Sequence, residues 1–200
     1  YDPAKSPGFG WPVHELPWVN PSPNIASLNA ARIYAGSVLI EGTTLSEGRG
    51  TTRALEIIGA PDLDCRLILK ILHDTIPDLL GACKIRSCHF EPTFQKHASR
   101  LCSGFQIHTD YEGFRPEYFK PYRIVAMFLK TLRNIAPEYP IWRDFPYEYV
   151  TDRLAIDVID GGENLRNWVD EPPASYADLH ARLVADESSW FEESRGFYLY

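Results

Sequence analysis

Apolar residues fall into short blocks whose spacing assigns most of the chain. Phe119, Tyr122, Val125, Ala126, Leu129 and Leu132 recur at i, i+3, i+4 and stop before Pro137, which predicts a helix over about 119–135. Leu63, Leu67, Ile68, Ile71 and Leu72 repeat that period, predicting a second helix with Asp62 as its N-cap. Strict alternation is clearest over 104–110. Phe105 and Ile107 take one face and Gln106, His108 and Asp110 the other, as in a strand with a core side and a polar side. Residues 83–90 read as a strand of mixed character. Residues 33–41 read as a buried strand, because Val38, Leu39 and Ile40 follow Gly36 and end at Gly42. A further strand over 53–58 is closed by Gly59 and Pro61. From Tyr149 onward the pattern is of short helices broken by Gly161, Gly162, Pro172 and Pro173, ending in the stripe Tyr176, Leu179, Leu183 and Trp190.

Strands therefore come first and helices dominate later. This predicts an α+β fold: a mixed sheet with packed helices and a helical C-terminal region. Three segments follow. Residues 1–29, with six prolines, form an extended opening that Trp11 and Trp18 pin down; 30–143 form the strand-and-helix core; 144–200 form the helical tail.

Composition adds two constraints. The 200 residues are 44% apolar, enough for a sizeable core, and the longest unbroken apolar run, 124–129, is far short of the roughly 18 residues a membrane span needs. The net charge of −7 is uneven: 144–200 carries −9 and the rest +2. An acidic tail repels a polyanion, and no basic run interleaved with aromatics occurs, so nucleic acid is not expected as a partner. Cys65, Cys83, Cys88 and Cys102 match no paired zinc spacing and are expected to be reduced structural residues. His97 and His108 stand 11 apart with no H-x-x-x-H, so neither a metal nor any other cofactor is expected. The chain starts at Tyr1 and its only methionine is Met127, which suggests a piece of a longer protein.

The most unusual segment is 41–52. It joins three glycines, five hydroxyl side chains, Glu41, Glu47 and Arg49. It is not a phosphate-binding P-loop: five residues separate Gly42 from Gly48, and Arg49 stands where lysine is required. Nor does it complete G-x-G-x-x-G, because Arg53 occupies the third glycine position. Glu41 and Glu47 suit sugar hydroxyls, and one could serve as general acid or base if its pKa were raised. The alternative is that they pair with Arg49 and Arg53 and simply hold the loop. The polar strand face of Gln106, His108 and Asp110 is a second candidate. There His108 either meets a ligand or is a satisfied structural group beside an aspartate. No serine or cysteine sits in a nucleophile signature.

Several motifs together resemble one family. Pro21-Ser-Pro-Asn24, Glu41-Gly-Thr-Thr-Leu-Ser-Glu-Gly-Arg-Gly-Thr-Thr-Arg53, Ile58-Gly-Ala-Pro61, Phe90-Glu-Pro-Thr-Phe-Gln-Lys-His97, Cys102-Ser-Gly-Phe-Gln-Ile-His108 and Tyr198-Leu-Tyr200 are similar to the DUF1343 family, whose characterised members are exo-β-N-acetylmuramidases of the NamZ type. The resemblance implies a protein about twice as long, with a Rossmann-like N-terminal half and an active cleft between the halves. The family glutamate proposed as catalytic sits in a Glu-His-Gly motif of that N-terminal half, and no such tripeptide occurs here. The chain thus resembles the C-terminal half, inactive alone, whose substrates are peptidoglycan-derived muramic acid glycans. It implies that Glu47 or His108 assists proton transfer, that Arg49 faces the lactyl carboxylate, and that Asn24, Glu41, Thr51 and Gln106 bind sugar. Thr44 stands where the family motif commonly has Asn, and Ala54 where it has Pro, which touches loop shape more than charge. A non-catalytic carbohydrate-binding or scaffolding module is the alternative, and exported and cytoplasmic locations both stay open.

Overall fold

The computed structural model describes residues 16–198. In chain order its elements are α1 (Leu28–Ser37), a 3₁₀ turn (Val38–Gly42), β1 (Ile57–Ala60), α2 (Cys65–Thr75), α3 (Pro77–Leu80), β2 (Lys84–Phe90), β3 (Cys102–His108), a 3₁₀ turn (Pro116–Tyr118), α4 (Pro121–Ile135), α5 (Ala155–Ile159), α6 (Asn164–Asp170), α7 (Tyr176–Ser194) and a last 3₁₀ turn (Arg195–Phe197). The α+β class holds. The sheet, expected to be mixed, is antiparallel at both of its pairings, in the order β1-β3-β2.

The expected strand over 33–41 is instead α1 and the turn after it. The Ser27 hydroxyl accepts the Ala30 N–H as an N-cap, and Ala30, Ile33, Ser37 and Ile40 are buried at helical spacing. The aliphatic run 38–40 is a tight turn, not an extended segment, because Gly36 lets α1 press onto α4. A Cβ there would lie 2.3 Å from the Pro121 carbonyl oxygen. The strand expected over 53–58 begins only at Ile57, since residues 52–56 are turns. The N-cap of α2 is Asp64, which accepts the Leu67 N–H at 3.0 Å, rather than Asp62, which accepts the Tyr139 hydroxyl.

The strand expected over 104–110 is β3, set two residues earlier, so Asp110 lies past its end; its core face is as read, while Gln106 on the other face is itself buried. Phe105 and Ile107 are fully buried, and Phe105 meets Phe128 edge-on with ring centroids 4.9 Å apart. Phe128 belongs to α4, buried throughout 123–132 and packed on α1, α2 and α6. The same core takes in Ile156, Leu165, Trp168, Val169 and Leu179, so 30–143 and 144–200 share one apolar interior. The stripe on α7 is buried only at its start: Leu179 is covered, whereas Trp190 is 64% exposed. A capping box between Ser175 and Asp178 opens that helix.

Trp18 donates its indole N–H to the Ile25 carbonyl at 3.3 Å, tying down the segment before α1; Trp11 lies outside the described residues. The four cysteines form no disulfide, and burial pushes the thiols of Cys65 and Cys83 up to about 12 and that of Cys102 up to about 11. No helix among the described residues is long and apolar enough to cross a membrane.

Candidate functional site

Three stretches of chain converge on the loop 41–52. A strap over 139–147 runs along its first part: the Thr44 N–H donates to the Ile141 carbonyl, and the Arg143 N–H to the Gly42 carbonyl. On its other side Ser46 and Gly59 of β1 exchange both backbone hydrogen bonds. The loop then turns at Gly48 and Gly50, both at left-handed φ (+74° and +79°). Thr51 closes that turn by donating to the Gly48 carbonyl at 2.6 Å and accepting the Arg53 N–H at 3.1 Å. The stretch 91–100 folds over it through left-handed Gln95, His97 and Ser99. Thr93 donates to the Gly50 carbonyl, and His97 Nε2 lies 2.9 Å from the Thr44 carbonyl, which can only accept, so that nitrogen carries the proton.

This packing creates a charge cluster. Arg49 Nε donates to Glu47 Oε1 at 2.6 Å and Arg49 Nη2 to Glu41 Oε1 at 2.7 Å, so one guanidinium bridges both loop carboxylates. Lys96 donates to the carbonyls of Ile40 and Thr43, and its ammonium sits 2.7 Å from Glu47 Oε2, outside hydrogen-bonding angles. Glu47 is 2% exposed. Burial alone would raise its pKa, but the Lys96 charge, with help from Arg49, holds it below the ordinary glutamate value. Burial pulls Lys96 below the ordinary lysine value despite Glu47, while Glu47 and Glu41 overcome burial at Arg49 and raise it. The surrounding cations thus favour the ionised form of Glu47.

The cluster forms one wall of a cavity of about 380 Å³ lined by Glu41, Glu47, Arg49, Gln95, Arg143, Phe145 and Tyr147. The strap supplies the opposite wall. Tyr147 and Val150 exchange backbone hydrogen bonds across Glu148 and Tyr149, both left-handed, a tight reversal of the primed type. That reversal aims the Tyr147 hydroxyl at Glu41 Oε2, to which it donates at 3.1 Å; burial and Glu41 raise its pKa. Arg143 stacks on Phe145, 3.9 Å above the ring centre. The volume suits one sugar residue. A hollow of about 490 Å³ at the end of α4 is larger, but the Arg133 and Asp170 that line it are paired with each other at 2.8 Å, leaving it without an unpaired charge.

Of the residues singled out from the sequence, Glu41, Glu47 and Arg49 come together in this cavity. Arg53 turns away to Glu56 at 3.3 Å. Thr51 serves its own turn, and Asn24, half-buried, uses its backbone N–H on Ser22. Gln106 and His108 belong to a separate network on the polar sheet face. Glu56, buried, accepts from Ser27 and from Gln106 Nε2, while Gln106 Oε1 accepts from Arg86. Arg86 Nε donates to His108 Nε2 at 3.0 Å, and His108 Nδ1 lies 3.5 Å from Asp110. Among the described residues no group of three or more His, Cys, Asp or Glu could hold a metal ion. Sequence reasoning passed over Lys96, Arg143, Phe145 and Tyr147. Arg143, Phe145 and Tyr147 alternate along the strap and all line the cavity, but nothing in that spacing ties them to the loop, and Lys96 carries no such signal.

The site is thus an α+β domain's hollow of about 380 Å³ with paired carboxylates, clamped cations and aromatic walls. The comparisons narrow this: the family model described as "Exo-beta-N-acetylmuramidase NamZ, C-terminal" matches residues 32–200, and the chain belongs to that family. It is 38% identical over 125 residues to the peptidoglycan β-N-acetylmuramidase NamZ of Bacillus subtilis strain 168, an alignment covering 62% of this chain and 28% of that protein. Two crystal structures of DUF1343 family proteins from Bacteroides fragilis share the fold. One has a TM-score of 0.74 at 18% identity, covering 93% of this chain and 46% of the other. The second has 0.58 at 19%, covering 90% and 43%. The chain therefore spans under half the length of each of these relatives.

Proposed function

We propose that this domain supplies the cavity wall and sugar-binding loop of a glycosidase that releases N-acetylmuramic acid from the non-reducing ends of peptidoglycan-derived glycans, working with a preceding Rossmann-like half. The observation that carries the reading is the Glu41–Arg49–Glu47–Lys96 cluster: two carboxylates fixed at the edge of a sugar-sized cavity. Glu41 and Tyr147 offer hydrogen bonds to sugar hydroxyls. Glu47, held ionised, suits stabilisation of positive charge developing at an anomeric carbon, and the proton donor comes from the preceding half. The test is hydrolysis of a chromogenic β-muramide by this chain alone and by a protein of its relatives' full length. Release by the long form only is expected, and release by neither rejects the reading.

A second reading, a carbohydrate-binding or scaffolding wall with no catalytic group of its own, draws support from the same cluster. Both carboxylates are engaged by cations, so the cavity holds no obvious acid. Glu47→Gln in the long form separates the two. The first reading expects a fall in kcat of about 100-fold or more, and the second expects kcat unchanged with a higher KM.

A further inference from the structure

Arg49 already bridges two carboxylates, whereas a second guanidinium in the same cavity is bound to none. The Arg143 side chain makes no hydrogen bond and no ion pair among the described residues; its only side-chain contact of note is the stack on Phe145 at 3.9 Å. Its backbone is locked, because its N–H is bonded to the Gly42 carbonyl and its neighbour Trp142 is paired with Thr43. A guanidinium held over a ring by cation–π attraction keeps its N–H donors free, and such a fork can meet a carboxylate with two parallel bonds.

The charges around it point the same way. Arg49, Lys96 and Arg143 face Glu41 and Glu47, which leaves one positive charge unbalanced in a chain whose net charge is −7. Arg143 lies close enough to Lys96 to help depress its pKa, so the excess is felt inside the cluster. Asp144 on the strap and Glu148 just past it are exposed and make no ion pair among the described residues, although the Glu148 charge is felt at Tyr147. A single excess charge calls for a monoanion; a phosphate dianion would meet repulsion from Glu41 and Glu47.

We propose that Arg143, held on Phe145, is the residue of this cavity that recognises a sugar-borne carboxylate, and so sets the preference for a muramyl over a glucosaminyl residue. This rests on the glycosidase reading above for the identity of the sugar. It moves carboxylate recognition away from Arg49, which instead organises the two glutamates.

The experiment compares wild type, Arg143→Gln and Arg143→Lys in a protein of the relatives' full length. Binding of N-acetylmuramic acid, its methyl ester and N-acetylglucosamine is measured by calorimetry, alongside hydrolysis of chromogenic β-muramide and β-glucosaminide. Wild type is expected to bind the acid about 10- to 100-fold more tightly than the ester. Arg143→Gln should abolish that difference while leaving the melting temperature as in wild type, and Arg143→Lys should keep part of it. Full preference for the acid in Arg143→Gln overturns the assignment, and if the β-muramide is still cleaved the glycosidase reading stands. Equal binding of acid and ester by wild type overturns it too. Loss of ester affinity together with a lowered melting temperature assigns Arg143 a structural role instead. No binding of any of the sugars and no hydrolysis by wild type overturns both readings.

Discussion

Glu47 is the residue on which the cluster turns, since it alone touches both Arg49 and Lys96. Its pKa is lower folded than unfolded, so its contribution is fully present above the ordinary glutamate value of about 4.3 and is lost as pH falls through the folded value. Glu47→Gln is expected to cost about 3–5 kcal/mol near neutral pH, because it leaves the largely covered Lys96 side chain without its counter-charge. It should also flatten the acid side of the stability curve, read as melting temperature against pH. An acid limb as steep as that of wild type would place the linkage elsewhere. Glu41, Glu47 and Arg49 were legible in the sequence because they crowd one glycine-rich loop. Lys96 and Arg143 were not, because their value comes from chain that returns to the loop from about fifty and a hundred residues away, through backbone pairings that no local pattern encodes.

At the scale of elements, periodicity was reliable where burial was one-sided or complete: β3, α2 and α4 lie within about two residues of where alternation or helical spacing put them, and β2 fills the segment read as a mixed strand. It failed over 33–41, where an aliphatic run suggested a strand while the Ser27 cap and the buried spacing of Ala30, Ile33 and Ser37 made a helix. That helix depends on Gly36. Gly36→Ala should cost about 1–3 kcal/mol in urea unfolding, since the added carbon meets Pro121 backbone that cannot step aside. Lys130 is a second element-scale device. From the middle of α4 its ammonium donates to the carbonyls of Trp168, Val169 and Glu171 at the end of α6. Lys130→Met keeps the stem but orphans those carbonyls, and should cost about 1–3 kcal/mol by the same assay. A neutral result would mean that water replaces the ammonium there.

For the whole molecule, the single core joining 30–143 to 144–200 explains why the strap can serve the site: the acidic tail is anchored through Ile156, Leu165, Trp168, Val169 and Leu179, which carries 139–147 back over the loop. Two polar constellations compete for the ligand in this account, the loop cavity and the network of Glu56, Gln106, Arg86 and His108 on the sheet. The reading proposed above puts the sugar in the first. The most direct measurement is a titration of the full-length protein with N-acetylmuramic acid followed by nitrogen-15 spectra, including the arginine side chains. The account predicts shifts concentrated at Glu47, Arg49, Gln95, Arg143 and Tyr147, with the Arg86 and Gln106 side chains unmoved. Shifts centred on Arg86, Gln106 and His108, with the loop silent, would contradict it.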